Sequence, residues 1–269
     1  MTGAGTVGHK SRRCVYDLSG KTILVTGASK GIGAEIARTL GDTGAHVIAH
    51  YRSDRGGVSN ACRGIDNARK LLVQADFSRL DDVEALWDAA SSWRDRVDVV
   101  INNAAVMLWE GGFSEPLASW DETWQRTLHI NVLAPARLIR RAVEHFTERG
   151  GGIIVTISSW TAQKGVTNPD NIAYGASKAA IHNATQTVAR AYARKGVLAY
   201  VVAPGVVRTR LSQQFAATQG GESEITESLA MKEWVPPGEI AELAACLASG
   251  QLRHLSGATL DVNGASYIR

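Results

Sequence analysis

Tyr174 and Lys178 stand four residues apart in the segment Tyr174-Gly175-Ala176-Ser177-Lys178, a spacing that puts both side chains on one face of a helix. A free tyrosine has a pKa near ~10, too high for efficient proton transfer at neutral pH. A neighbouring ammonium favours the phenolate, as would the positive ring of an oxidised nicotinamide. The pair is therefore a candidate acid/base couple for a carbonyl or alcohol oxygen. Taken alone it reads equally as a packing tyrosine beside a solvated lysine, so its surroundings decide. Ser158 and Ser159 end an apolar run upstream of Tyr174, and a hydroxyl there can hydrogen-bond a reacting carbonyl. Asn131 precedes Pro135 by four residues. Proline has no N–H, so the Asn131 carbonyl loses its normal helical partner and can hold a water that hands protons to Lys178. The alternative is a kink without chemical purpose; a polar residue beside the candidate site favours the relay.

A second constellation concerns phosphate. Thr26-Gly27-Ala28-Ser29-Lys30-Gly31-Ile32-Gly33 follows the first apolar run and opens a helix. Glycines there permit a tight turn and close approach of a pyrophosphate, and the helix N-terminus offers unpaired N–H donors. A lone glycine pattern is weak evidence, but its place after the chain's first strand is the right one. Three further strand ends agree with it. Asp76, with Phe77 beside it, can accept from an adenine amino group. Asn103 and Ala104, within Asn102-Asn103-Ala104-Ala105, let a dinucleotide pass close to the backbone. Pro204 and Gly205, with Val207 beyond them, lie where a nicotinamide would sit. The cofactor choice turns on His50-Tyr51-Arg52-Ser53 at the end of the second strand. NAD binding usually shows a carboxylate there. Arg52 and Lys30 can instead pair with a 2′-phosphate, so NADP(H) is favoured, with Asp54 near enough to keep NAD(H) in play.

These residues require a frame. Apolar, β-branched runs occur at Thr22–Thr26, His46–Tyr51, Leu71–Ala75, Val97–Asn102, Ile153–Ser158, Leu198–Ala203 and Thr259–Val262, mostly apolar on both faces, as strands of a helix-covered parallel sheet should be. Amphipathic segments alternate with them at Ile32–Asp42, Leu80–Trp93, Trp120–Glu148, Tyr174–Lys195 and Gly238–Ala248. The alternation predicts an α/β fold, a Rossmann-like doubly wound sheet with helices on both faces, in one domain over residues 19–269. Residues 1–18 read as a flexible N-terminal extension. Val106–Pro116 and Val206–Val235 break the rhythm after strand ends, where ligands bind in open α/β sheets, and are expected to wall the substrate.

Composition narrows the classes further. The 29 basic residues exceed the 26 acidic ones by only three, which argues against nucleic acid or an anionic membrane as partner. No apolar run reaches the ~20 residues of a membrane span. Cys14, Cys62 and Cys246 lie far apart, and the histidines show no ligand spacing; no metal site or disulfide framework is expected, and a cytoplasmic setting fits.

Taken together, T-G-A-S-K-G-I-G (26–33), N-N-A-A (102–105), Asn131, Ser159, Y-G-A-S-K (174–178), P-G-V-V-R-T (204–209) and L-D-V-N-G (260–264) resemble a classical short-chain dehydrogenase/reductase over residues 18–269. The resemblance implies seven parallel strands, a catalytic tetrad of Asn131, Ser159, Tyr174 and Lys178, a nicotinamide contact from Thr209, and a homo-oligomer, usually a tetramer. Its branch is similar to 3-oxoacyl-(acyl carrier protein) reductases, and a 3-oxoacyl thioester, a small ketone, or an alcohol or sugar remains open as substrate. Arg149, Arg194 and Lys195 are candidates for an acidic carrier partner; Trp109, Phe113, Trp160 and Trp234 are candidates for an apolar pocket. Two departures stand out: Ala105 where glycine is common, and about two extra residues around 167–171. Ser159 fits the family pattern better than Ser158. A non-catalytic dinucleotide sensor is the alternative class, and the full tetrad speaks against it.

Overall fold

The computed structural model describes residues 16–269, so the expectation for the N-terminal extension falls almost wholly outside the described residues. Leu18, counted with that extension, is fully buried in the core, and its N–H donates to the Thr43 carbonyl at 2.9 Å. The folded domain therefore begins at or before Leu18.

Seven strands form one sheet in which every pairing is parallel: β1 (Thr22–Val25), β2 (His46–Tyr51), β3 (Lys70–Gln74), β4 (Val99–Asn102), β5 (Gly152–Ile157), β6 (Val197–Pro204) and β7 (Thr259–Val262). Their order is β3-β2-β1-β4-β5-β6-β7. The chain winds outward first on one side of β1 and then on the other, so the crossover direction reverses between β1 and β4. The loops leaving those two strands diverge there and open a crevice.

Alternate residues of each strand face opposite layers. On one side, Ile23, Val25, Val47 and Ile101 pack against α1 (Gly31–Asp42) and α10 (Pro237–Ala248) through Ile36, Leu40, Ile240 and Ala244. On the other, Leu24, Ile48, Val100 and Ile154 meet α3 (Leu80–Trp93), α5 (Ala134–Glu148) and α7 (Ile172–Tyr192) through Leu86, Leu138, Phe146 and Ile181. This double coverage is why the strands read as continuous apolar runs.

The expected continuous helix from Trp120 to Glu148 is interrupted. It divides into α4 (Leu117–Leu128), a wide π-turn at His129–Leu133, and α5. Pro135 supplies no N–H to the Asn131 carbonyl, and the Ala134 N–H reaches back five residues to His129; such bulges form where proline breaks the regular ladder. Four short helices had no periodic signal: α2 (Arg55–Ala61), α6 (Thr161–Lys164), α8 (Arg210–Ala217) and α9 (Glu222–Ser228). The last two lie inside the stretch expected to be irregular.

The turn from β1 into α1 is held by close packing. Gly27 and Gly31 take positive φ of 69° and 57°, a region costly for residues with a Cβ. At Gly33 the constraint is space: a Cβ would stand 2.2 Å from the Gly27 carbonyl oxygen and 2.4 Å from Asn103 Nδ2. Gly33→Ala is therefore expected to destabilise the chain by about 1–3 kcal/mol through overpacking. The melting temperature should drop by several degrees; an unchanged value in a thermal scan would contradict this packing.

Candidate active site

A clasp at the switch point defines the site. The Thr26 hydroxyl accepts the N–H groups of Asn103 and Ala104 at 2.9 and 3.0 Å, and Asn103 Nδ2 donates to the Thr26 and Gly27 carbonyls at 2.9 and 3.2 Å. The loops after β1 and β4 are thereby tied at their roots. Beyond the clasp runs a cleft of about 540 Å³, ample for an extended ligand.

One end of the cleft is built for anions. Gly27, Ser29, Lys30, Gly31 and Ile32 line it. The α1 N-terminus carries no side-chain cap and no acidic residue in its first turn, so its orphan N–H groups and dipole are available to a phosphate. Gly33 lies outside the lining and packs closely against the Gly27 carbonyl and Asn103. Arg52 and Arg126 also line this end, and among the described residues neither enters a salt bridge. Asp54 caps α2, its Oδ1 accepting the Gly57 N–H at 2.7 Å. Asp76 and Phe77 form the far wall. The Ser78 N–H donates to Asp76 Oδ1 at 2.9 Å and, against burial, holds that carboxyl below the usual range; Arg52 and Arg126 add to the lowering.

The opposite end gathers the candidate acid/base groups. Ser159, Tyr174 and Lys178 all line the cleft. Ser159 lies two residues past the end of β5, while α7 carries Tyr174 in its first turn and Lys178 one turn on. Both adjacent serines line the cleft, and they differ in their partners. Ser158 is committed to the Lys178 carbonyl at 3.2 Å, whereas the Ser159 hydroxyl acts on the Tyr174 phenol and accepts from Thr161 at 2.9 Å. Lys178 Nζ donates to the Ile157 carbonyl at 2.8 Å and lies 5.7 Å from the Tyr174 ring centre.

The expected lowering of the tyrosine by its lysine is not what the protein alone achieves. Burial dominates both groups: it pushes the phenol up to about 12, with only the Ser159 hydroxyl pulling the other way, and drops the ammonium to about 8. Each shift favours the neutral form, the ordinary result of desolvation.

Asn131 stands behind this end and does not line the cleft. Its Oδ1 accepts the Val106 N–H at 2.8 Å, and its Nδ2 donates to the Val106 carbonyl at 2.8 Å and the Ser177 hydroxyl at 3.0 Å. The side chain thus joins the π-turn, the loop after β4 and α7. Pro204, Gly205, Val207 and Thr209 line the side below β6, with the Thr209 hydroxyl also capping α8 through the Ser212 N–H at 3.3 Å.

The aromatic expectation needs correction. None of Trp109, Phe113, Trp160 and Trp234 lines the cleft; its apolar wall is Ala105, Val106, Met107, Leu108 and Leu211. Trp109 stacks on Phe215 with centroids 6.3 Å apart, joining the loop after β4 to α8. Phe113 is 77% exposed, and Trp234 is buried in a satellite cluster that Trp160 borders. The basic rim also fails. Arg194 and Lys195 follow the C-terminal end of α7, roughly 30 Å along the axis from Tyr174, and Arg149 pairs with Asp95 at 3.4 Å.

The main residue missed by the sequence is His50. It is buried within the cleft lining, accepts the Gly27 N–H on Nδ1 at 3.1 Å and contacts the Ala75 carbonyl through Nε2 at 3.0 Å. At the end of a strand it carries no motif, and only the sheet order brings it beside Gly27.

The chain matches the family model described as Enoyl-(Acyl carrier protein) reductase over residues 27–265. It is 36% identical to 3beta-hydroxysteroid dehydrogenase 1 of Eggerthella lenta, over 92% of its own length and 94% of that protein's. Among solved structures, a short chain dehydrogenase from Burkholderia cenocepacia J2315 in complex with NADP matches with a TM-score of 0.82 and 28% identity, covering 93% of this chain and 98% of that one. The 3-ketoacyl-(acyl-carrier-protein) reductase from Brucella melitensis, complexed with NADH, matches with the same TM-score and identity over 94% and 100%. The chain belongs to the short-chain dehydrogenase/reductase family. It is an oxidoreductase of that family's NAD(P)-dependent kind.

Burial of His50 lowers its imidazole from the ordinary 6.5 to about 4. The unfolded chain therefore takes up a proton before the folded one, and the stability present above pH 6.5 is lost as pH falls towards 4. The expected loss is on the order of 3 kcal/mol. Urea titrations between pH 7 and 4 should show that decline, and His50→Asn should shrink it; identical pH dependence in the two proteins would contradict the assignment.

Proposed function

We propose that the protein is an NADP(H)-preferring reductase of neutral carbonyl compounds, or the dehydrogenase of the corresponding secondary alcohols, with Tyr174 as proton donor and acceptor. One observation carries the reading: a single cleft joins an uncapped, cation-flanked helix N-terminus to a half-buried tyrosine beside a buried serine and lysine. Its two ends suit a dinucleotide phosphate and a reacting carbonyl oxygen.

The residues present fit the cofactor. The α1 N-terminus with Ser29, Lys30, Gly31 and Ile32 would hold the diphosphate, Asp76 and Phe77 the adenine, and Pro204, Gly205, Val207 and Thr209 the nicotinamide side. Lys30 and Arg52 are the partners for a 2′-phosphate. Asp54, the carboxylate that could serve NAD(H), is already engaged by the Gly57 N–H, which supports the phosphorylated cofactor. When bound, the dinucleotide supplies or accepts the hydride.

The chain's own residues manage the proton. A phenol held near 12 is fully protonated at neutral pH, so a proton is in place for the oxygen of a carbonyl under reduction, and the Lys178 ammonium offsets part of the cost of releasing it. Ser159 holds that oxygen and stabilises the phenolate left behind. Lys178, charged below about pH 8, adds positive charge on the same side and is the candidate for the ribose hydroxyls. Asn131 fixes the π-turn against α7, and its carbonyl, deprived of a proline N–H, is the anchor for a proton-relaying water.

The substrate wall of Ala105, Val106, Met107, Leu108 and Leu211 favours an apolar, uncharged carbonyl compound over a sugar or an anionic carrier conjugate. Self-association belongs to the same reading and is supported by Leu117 and Leu133, exposed on and beside α4. A cytoplasmic setting is supported by the unpaired Cys62 and Cys246.

A panel of cyclic ketones, quinones and 3-oxoacyl thioesters, followed by loss of reduced-nicotinamide absorbance with NADPH and with NADH, tests the reading. NADPH should be the better donor with a ketone; turnover with neither cofactor across the panel would defeat it. On the best substrate, Tyr174→Phe should lose turnover while retaining NADPH binding by calorimetry. Ser159→Ala should lose about 100-fold in kcat or more, and Ser158→Ala far less; equal losses would reverse the serine assignment. The reductive kcat/KM should fall about tenfold per pH unit above pH 8 as Lys178 loses its proton, and a profile flat to pH 10 would remove Lys178 from the proton path.

A further inference from the structure

We infer that His50 is a positioning residue for the dinucleotide, one imidazole that sets the phosphate turn and the adenine wall in a common register. This rests on the cofactor reading above.

The ring sits where three loops meet. Its Nδ1 accepts the N–H of Gly27, the first glycine of the phosphate turn, at 3.1 Å. A backbone N–H can only donate, so Nδ1 carries no proton and Nε2 does. Nε2–H then donates to the Ala75 carbonyl at 3.0 Å, immediately before Asp76. The ring also lies flat on Phe77, with centroids 4.5 Å apart and planes 8° from parallel. From the backbone of the same residue, the His50 carbonyl accepts the Ala28 N–H at 2.8 Å.

Each contact bears on a part of the cleft with a different task. The Gly27 and Ala28 bonds orient the turn that delivers the α1 N-terminus to the diphosphate. The Ala75 bond and the Phe77 stack place the wall that would flank the adenine. Because β2 lies between β1 and β3, a residue at its carboxyl end is the natural bridge between the two. Asn103 clasps the turn from the β4 side, and His50 secures it from the β2 side. The imidazole meets no 2′-phosphate in this scheme, so its effect should be the same for both nicotinamide dinucleotides. That separates it from Arg52 and Lys30.

Three substitutions divide the ring's contributions. His50→Phe keeps the flat ring and removes both hydrogen bonds. His50→Asn places an amide oxygen at the Nδ1 position, where it can accept the Gly27 N–H. His50→Gln reaches towards Ala75 but offers no acceptor at the Nδ1 position. Calorimetric titration of each full-length, folded protein with NADPH, and separately with NADH, is the test. His50→Phe should raise Kd about tenfold for both dinucleotides, and His50→Asn should stay within about threefold of the unsubstituted protein. On any ketone of the panel that is reduced, the KM for NADPH should rise with Kd in His50→Phe while kcat at saturation falls less than about twofold.

A His50→Phe protein that melts lower but binds both dinucleotides normally would overturn the inference and leave the cofactor reading intact. An effect confined to NADPH would also overturn it. Should His50→Phe not fold, the other pair decides: tight binding by His50→Asn with weak binding by His50→Gln supports the inference, and the reverse order refutes it. An unsubstituted protein that binds neither dinucleotide overturns the cofactor reading and this inference with it.

Discussion

Four hydrogen bonds between Thr26, Gly27, Asn103 and Ala104 hold together two loops that the chain sends in opposite directions. Parallel strands cannot be joined by tight turns, so each β-to-α connection leaves the sheet at the same edge. Where the winding reverses, between β1 and β4, neighbouring loops part and expose backbone groups that need partners. A short hydroxyl and a short amide meet that demand without filling the crevice. The residues around them must stay small, which is why the site is framed by Gly27, Gly33 and Ala104. The crevice follows from topology, and its width from these side chains.

Polarity within the crevice is divided by burial. At the β1–β3 side the basic side chains of Lys30, Arg52 and Arg126 are exposed to solvent. At the β5–α7 side the protein crowds Tyr174 and Lys178, and desolvation works against charge on either. The Ser159 hydroxyl pulls the phenol the other way and Lys178 Nζ donates to the Ile157 carbonyl, but neither outweighs that cost. Burial holds the phenol in its protonated form, and the lysine is left close to its titration point. Environment therefore assigns the roles more than residue type does.

The outer wall is made by segments without long-range periodicity. The loop after β4 is pinned from below by Asn131 through Val106 and from the side by Asn171, whose Nδ2 donates to the Leu108 carbonyl at 3.2 Å. The Gly111 N–H donates to the Asp170 carbonyl at 3.1 Å. Asp170 and Asn171 thus fasten the loop after β4 to the start of the helix that carries Tyr174. Across the mouth, Trp109 meets Phe215 of α8, so the two irregular stretches support each other rather than the pocket floor.

The strands, the main helices and most of the residues that line the cleft were legible in the amino-acid order because each has a local cause. Double-sided burial writes continuous apolar runs, glycine is required at positive φ, and a four-residue interval aligns Tyr174 with Lys178. Proline at 135 likewise announced a break, though the π-turn that accommodates it was not readable. Tertiary structure alone decided the rest, because the physics there depends on neighbours far away in sequence. Sheet order made His50 a bridge between Gly27 and Ala75. Packing gave Ser158 and Ser159 different partners and sent Trp109, Trp160 and Trp234 away from the cleft. Desolvation, a property of the assembled structure, reversed the expected direction of the Tyr174 shift, and no spacing of residues along the chain could have revealed how closely the protein would crowd that half-buried phenol.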